Sequence, residues 1–136
     1  MISFAWTTPA LLADRKRVTR RDWSPEYAKR FREGDLVAAC DRQPRFRGKQ
    51  VATIRLTCNP YRQSTLLAPE SDYYYEGFAY LEQLGAKVNG LAPAELWRQW
   101  KEHPIELYVV RFELVEVING NKRDALSGAR ARMEAR

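Results

Sequence analysis

Histidine is almost absent from this chain: His103 is the only one in 136 residues. Cysteine is nearly as scarce, with Cys40 and Cys58 and no CxxC pair. Zinc sites draw on close-spaced Cys and His pairs, so no structural zinc is expected, and no metal or cofactor is implied. A single histidine also excludes most Ser-His and Cys-His schemes unless His103 is itself the base. It stands in KEHPIE, just before a proline at an expected helix end, where it reads as a C-terminal cap or an exposed loop residue. Any catalysis must therefore use Lys, Glu, Asp, Thr, Tyr or Cys. No apolar run approaches the roughly 20 residues of a membrane span. The opening MISFAWTTPALLADRK has no basic stretch ahead of its apolar residues, so no signal peptide is expected. A cytoplasmic location, with no membrane partner, follows as the expectation.

What the chain does have is a foldable composition, 45% hydrophobic and 12% aromatic, on a length that suits one domain with one core. Its formal net charge is +6, which favours anionic partners. The charge is unevenly spread. Residues 14 to 32 carry eight basic and three acidic groups, and residues 42 to 49 carry four basic and no acidic ones. Residues 69 to 106 reverse the balance, with three basic against seven acidic. The densest point is ADRKRVTRRDW, where Arg15, Lys16, Arg17, Arg20 and Arg21 fall within seven positions. Like charges this close require either a solvated face or an anion to receive.

Periodicity predicts short strands interleaved with short helices. MISFAW reads as a first strand. TTPALLADRK reads as a helix with Leu11 and Leu12 inward, and RVTRR as a strand or extended turn. SPEYAKRFREGD is a helix capped by Ser24 and ended by Gly34. DLVAAC is a buried strand. QVATIRLTCNPY alternates Ala52, Ile54, Leu56 and Cys58 against Thr53, Arg55 and Thr57, so Cys58 is read as core packing. Residues 64 to 74 are loop-like. EGFAYLEQLG and APAELWRQWKE are helices, with Phe78, Leu81 and Leu84 on the first and Leu96, Trp97 and Trp100 on the second. IELYVVRFELVEVI is a long final strand, expected in the same sheet as residues 51 to 58. The whole is an α+β chain: a mixed, partly closed β-barrel with short helices packed at its openings, spanning residues 1–120. Residues 121–136 are read as a basic, mobile tail.

The segment TTPALLADRKRVTRRDW, followed by FREGDLVAAC, QVATIRLT and YYEGFAYL, resembles the ASCH domain of the PUA-like superfamily over about residues 2 to 118. Its centre is a GRKTxTxR-type motif, here Asp14-Arg15-Lys16-Arg17-Val18-Thr19-Arg20-Arg21. Asp14 stands where the family has Gly, and Arg17 where it has Thr. The resemblance implies a PUA-like barrel with a cleft beside the helices, and binding of RNA, nucleotides or modified nucleosides. One branch hydrolyses the amide of N-acetylated cytidine through a lysine, a threonine and a downstream glutamate, which by position are Lys16, Thr19 and Glu76. Another branch is reported as single-strand ribonucleases.

The residues themselves leave alternatives open. Thr19 is a weak nucleophile and needs a base, and Lys16, three positions away, converges on it only if the segment turns. Crowding by neighbouring arginines lowers the pKa of Lys16. Glu76 is positioned to move a proton at a base's exocyclic nitrogen, or simply to pair with Lys16. The expectation is that Lys16, Thr19 and Arg21 share a cleft with Glu76, with Arg15, Arg17 and Arg20 at its rim. Arg21 is read as a bidentate phosphate ligand or as a salt bridge to Glu76 or Asp35. Arg45, Arg47 and Lys49, around Phe46, form the main backbone-binding candidate, with Arg17 and Arg20 as a further phosphate track. Of Tyr73, Tyr74 and Tyr75 at least one should line the cleft or be exposed, and Tyr75 is taken as a base-stacking candidate. Trp6 and Trp23, also candidates for base stacking, are read first as core packing.

Overall fold

The longest alternating segment of the sequence becomes the spine of the molecule. In the computed structural model, which describes residues 1–118, strand β6 (Glu106–Val117) pairs with three others. Strand β4 (Gln50–Leu56) lies antiparallel along its second half, placing Ile54 opposite Leu114 and Leu56 opposite Phe112. Strand β5 (Tyr61–Ser64) continues on the same side after a short break, pairing with residues 106 to 109. Strand β2 (Val18–Arg21) covers the other side, from Tyr108 to Arg111. Beyond β4 come β3 (Leu36–Cys40), antiparallel to it, and the short β1 (Ile2–Ser3), parallel to β3. The order β1-β3-β4-β6-β2, with β5 also on β6, is a curled mixed sheet. It forms a half-barrel that remains open rather than closed.

Five helices are described: α1 (Thr8–Leu12), α2 (Pro25–Ala28), α3 (Ser71–Tyr75), α4 (Phe78–Gln83) and α5 (Pro93–Glu102). Helix α2 starts where its cap chemistry directs, the Ser24 hydroxyl accepting from the Tyr27 amide at 3.1 Å. The core fills the hollow of the sheet with Ile2, Phe4, Leu11, Val37, Ala39, Ile54, Leu56, Val110 and Phe112. Ile54 and Phe112 are 0% and 2% exposed, and full burial of such a side chain is worth about 1.5–3 kcal/mol. A second cluster, edge-to-face among Tyr73, Phe78 and Trp97, binds α3 and α4 to α5.

Several expectations need correction. The first strand stops at Ser3, and a 3-10 turn over Ala5–Thr7 follows, with Ala5 at φ +43°. That turn throws Trp6 outward, 58% exposed, instead of into the core. Residues 64 to 74 are not a loop. They hold the end of β5, a 3-10 turn over Thr65–Leu67 and helix α3. Cys58 lies beyond the end of β4 and is half-buried, so it does not extend that strand's apolar face. Leu12, Leu36 and Leu84 are exposed. His103 caps the C-terminus of α5 and is exposed. The tail 121–136 lies outside the described residues. Among the described residues no helix is long and apolar enough to cross a membrane.

Candidate functional site

The turn over Ala5–Thr7, β2, the loop at residues 42 to 46, the junction of α3 and α4, and α5 enclose a pocket of about 460 Å³. Its lining includes Lys16, Thr19, Arg21 and Glu76. Each is brought there by a specific local feature. The chain leaves α1 through Asp14, held in the left-handed region at φ +59°, a conformation that Asp tolerates better than most residues. This turn carries Lys16 inward before β2 begins. Asp14 and Arg17 face each other, Arg17 donating to the Asp14 carboxylate at 3.1 Å on the surface. On the opposite wall, Glu76 caps α3 and is followed by Gly77 at φ +89°. A Cβ at Gly77 would stand 2.5 Å from the Ala10 Cβ and 3.3 Å from that of Lys16. Only glycine lets α1 and the lysine loop approach this closely.

The approach creates a buried ion network. Lys16, 1% exposed, donates from Nζ to Glu76 Oε1 at 3.0 Å and to the Glu76 carbonyl at 2.9 Å. Arg20 bridges the two acids of α3, giving Nη1 to Glu76 Oε2 and Nη2 to Asp72 Oδ2, each at 2.7 Å. Arg111 on β6 then forks onto Asp72 with bonds of 3.1 and 2.8 Å. Asp72 and Glu76 are four residues apart, which puts both carboxylates on one face of α3. Three cations thus meet two carboxylates, and the network, of which Lys16, Arg20 and Glu76 line the pocket, keeps a positive excess. Burial pushes the Lys16 ammonium below its usual range, against the pull of Glu76, with Arg21 and Arg20 adding to the depression. For Asp72, burial pushes upward, but hydrogen bonds from Arg111 and Arg20 prevail and hold its carboxyl low. Arg20 Nε is buried without a partner among the described residues.

Arg21 differs from these three. It has no carboxylate within 4.0 Å among the described residues. Its Nε donates to Thr19 Oγ1 at 3.1 Å and its guanidinium lies 5.3 Å from the centre of the Phe4 ring. Its two terminal nitrogens have no hydrogen-bond partner among the described residues. Burial lowers its pKa without removing the charge of a guanidinium. Arg42, Gln43, Phe46 and Trp6 also line the pocket, with Phe46 and Trp6 more than half exposed.

The sequence candidates therefore divide. Lys16, Thr19, Arg21 and Glu76 come together. Arg20, expected at the rim, is inside at 7% exposure because it bridges the two acids. Arg17 pairs with Asp14, and Arg15 lies over the Tyr80 ring, both outside the pocket lining. Arg45, Arg47 and Lys49 are exposed on the loop around the 3-10 turn Pro44–Phe46, yet Arg42 is the loop's basic residue that lines the pocket. Tyr74 and Tyr75 are exposed and pack edge-to-face, but neither lines the pocket; Tyr75 instead offers its carbonyl to the Arg17 amide. Trp23 stacks on Phe31 at the margin of the core. Asp72 and Arg111 were not singled out in the sequence. An arginine interrupting the apolar run VVRFEL was the available signal, because a charge in a half-buried strand needs a partner. Comparison with family models, curated proteins and solved structures finds no match to this chain.

Proposed function

We propose that this chain is an RNA- or nucleotide-binding domain of the ASCH, PUA-like type, whose pocket takes one base with its phosphate at Arg21. The observation that carries the reading is Arg21 itself: a half-buried guanidinium in the wall of a positively charged pocket, with both terminal nitrogens unpartnered among the described residues. A guanidinium in that state is matched to an oxyanion, which it holds bidentately. The aromatic groups Trp6, Phe46 and Trp100 in the same lining offer faces for a base. The open half-barrel with a pocket beside its helices agrees with the family motif at Asp14–Arg21. Binding of single-stranded RNA and of nucleotides, measured over a series of salt concentrations, tests this. Affinity should fall linearly with log salt, and Arg21→Gln should weaken it about tenfold or more. Salt-independent binding, or an unaltered Arg21→Gln variant, would remove the phosphate from the reading.

A second reading, amide hydrolysis of an N-acylated cytidine nucleoside, is favoured by the presence of Lys16, Thr19 and Glu76 in one pocket. Against it, Lys16 directs its bonds to Glu76, and no hydrogen bond joins it to Thr19, which leaves that hydroxyl without a base in contact. Acetate release from acetylated cytidine decides between the two. If turnover occurs, Lys16→Met and Lys16→Arg should both abolish it, since guanidinium cannot act as a base. Full turnover by Lys16→Arg would reduce the lysine to a positive charge.

A further inference from the structure

Arg21 belongs to the walls of two hollows. Next to the main pocket lies a second, of about 240 Å³, and the two share Ser3, Arg21 and Gln43. The second is bounded further by Trp23, Tyr27 and Pro44. Trp23 and Tyr27 are half-buried, with ring centres 5.0 Å apart and planes at 74°. Phe31, stacked on Trp23 at 4.8 Å and 15°, fixes the plane of the indole. A larger chamber lined by cations and aromatic rings and a smaller one walled by Trp23 and Tyr27 therefore adjoin at a guanidinium with no carboxylate within 4.0 Å among the described residues.

A nucleoside monophosphate ends at its phosphorus and leaves the second chamber without a use. A phosphodiester continues past it. We infer that the site takes two consecutive nucleotides of a single strand, with the bridging phosphodiester on Arg21 and the second base against Trp23 and Tyr27. This rests on the nucleotide-binding reading above and narrows it from a nucleotide to a linked pair. The chemistry of each part fits. The two free nitrogens of Arg21 match the two non-bridging oxygens of a diester. An aromatic wall accepts a base of any identity, because every base has a stacking face. Ser3 and Gln43, shared by both chambers, place neutral hydrogen-bonding groups beside the same junction.

The test uses the full chain with its tryptophan indoles labelled with nitrogen-15. For each of the four bases, the nucleoside, its 3′- and 5′-monophosphates and the homodinucleotide are titrated in turn. The dinucleotide should bind about tenfold or more tightly than either monophosphate, the worth of one stacked base. It should shift the Trp23 indole signal, whereas monophosphates should shift Trp6 or Trp100 and leave Trp23 in place. Arg21→Gln, with its fold checked by thermal melting, should bring the monophosphates down to the affinity of the nucleoside and weaken the dinucleotide about tenfold or more. Monophosphate and dinucleotide of equal affinity, with Trp23 unmoved, would overturn the linked-pair inference and leave the single-nucleotide reading standing. If neither these probes nor a mixed-sequence single-stranded RNA decamer binds, the nucleotide reading itself fails and the inference falls with it.

Discussion

The floor of the pocket and the loop at its mouth carry similar numbers of cations, yet they use them in opposite ways. On the floor, Lys16, Arg20 and Arg111 are locked onto Glu76 and Asp72 by six hydrogen bonds of 2.7 to 3.1 Å. Around the mouth, Arg42, Arg45, Arg47 and Lys49 are exposed and form no ion pair among the described residues. The difference shows that charge density in a sequence does not identify a binding surface. The buried cations are structural first, because each must be compensated where water is absent. The exposed ones cost nothing to leave unpaired and remain available to a ligand. Arg21 lies between these regimes, half-buried yet unpaired, and for that reason it carries the functional reading.

The largest expected effect would break the floor. Glu76→Ala leaves Lys16 without its carboxylate and Arg20 with Asp72 as its one remaining carboxylate, beside the Gln63 side chain, so denaturant unfolding should show a loss of about 3–5 kcal/mol. A loss below about 1 kcal/mol would mean that water or another group compensates both cations. Next comes pH. The unfolded chain protonates Asp72 near its ordinary value of about 4, while the folded chain holds it lower. The stability that Asp72 contributes is therefore complete above about pH 4 and lost as pH falls through its folded value. Lys16 acts with the opposite sense at the alkaline end. Its folded pKa lies below 10.5, so stability due to this group rises as pH climbs from the folded value towards 10.5. That rise should be present in wild type and missing in Lys16→Met, with the difference between the two curves as the measurement. A constant difference between the curves over that window would show that Lys16 titrates alike in both states.

The smallest effect on stability, and the sharpest contrast, belongs to the mouth. Replacing Arg45, Arg47 and Lys49 with alanine should change unfolding free energy by no more than about 0.5 kcal/mol. The same triple variant should weaken RNA binding similarly across sequences and flatten the salt slope by up to about one per lost phosphate contact. An unchanged slope would confine phosphate binding to Arg21 and Arg42. A large loss of stability would place these residues with the floor instead.

The parts of the fold that could be read in advance are those where local pattern and tertiary environment agree. Strands β4 and β6 alternate because one face is buried, and α2 announces itself through Ser24 and Pro25. Strand β5 and helix α3 were missed for opposite reasons. YRQS is polar because none of its four residues is fully buried, and SDYYY is rich in residues that favour strands. The motif segment indicated which residues to watch, but it could not reveal what holds them. Arg20 and Asp72 are 52 positions apart, and Arg111 and Asp72 are 39 apart. Such pairings depend on which strand lies beside β6, and no local window contains that information. Trp6 failed as a core prediction because a single residue, Ala5 at positive φ, reverses the direction of the chain before it.

The central position of β6 has a consequence for the order of events during synthesis. It is the last described strand to leave the ribosome, and β2, β4 and β5 all take it as their partner. Until residues 108 to 111 have emerged, β2 has no neighbour and Arg20 no fixed position from which to reach α3. The β3–β4 hairpin can form early from contacts close in sequence, whereas the pocket must wait for pairings that span most of the chain. The nascent polypeptide therefore carries its cluster of arginines in an open form until β6 is available. The pocket takes shape only then, when one strand closes three gaps together.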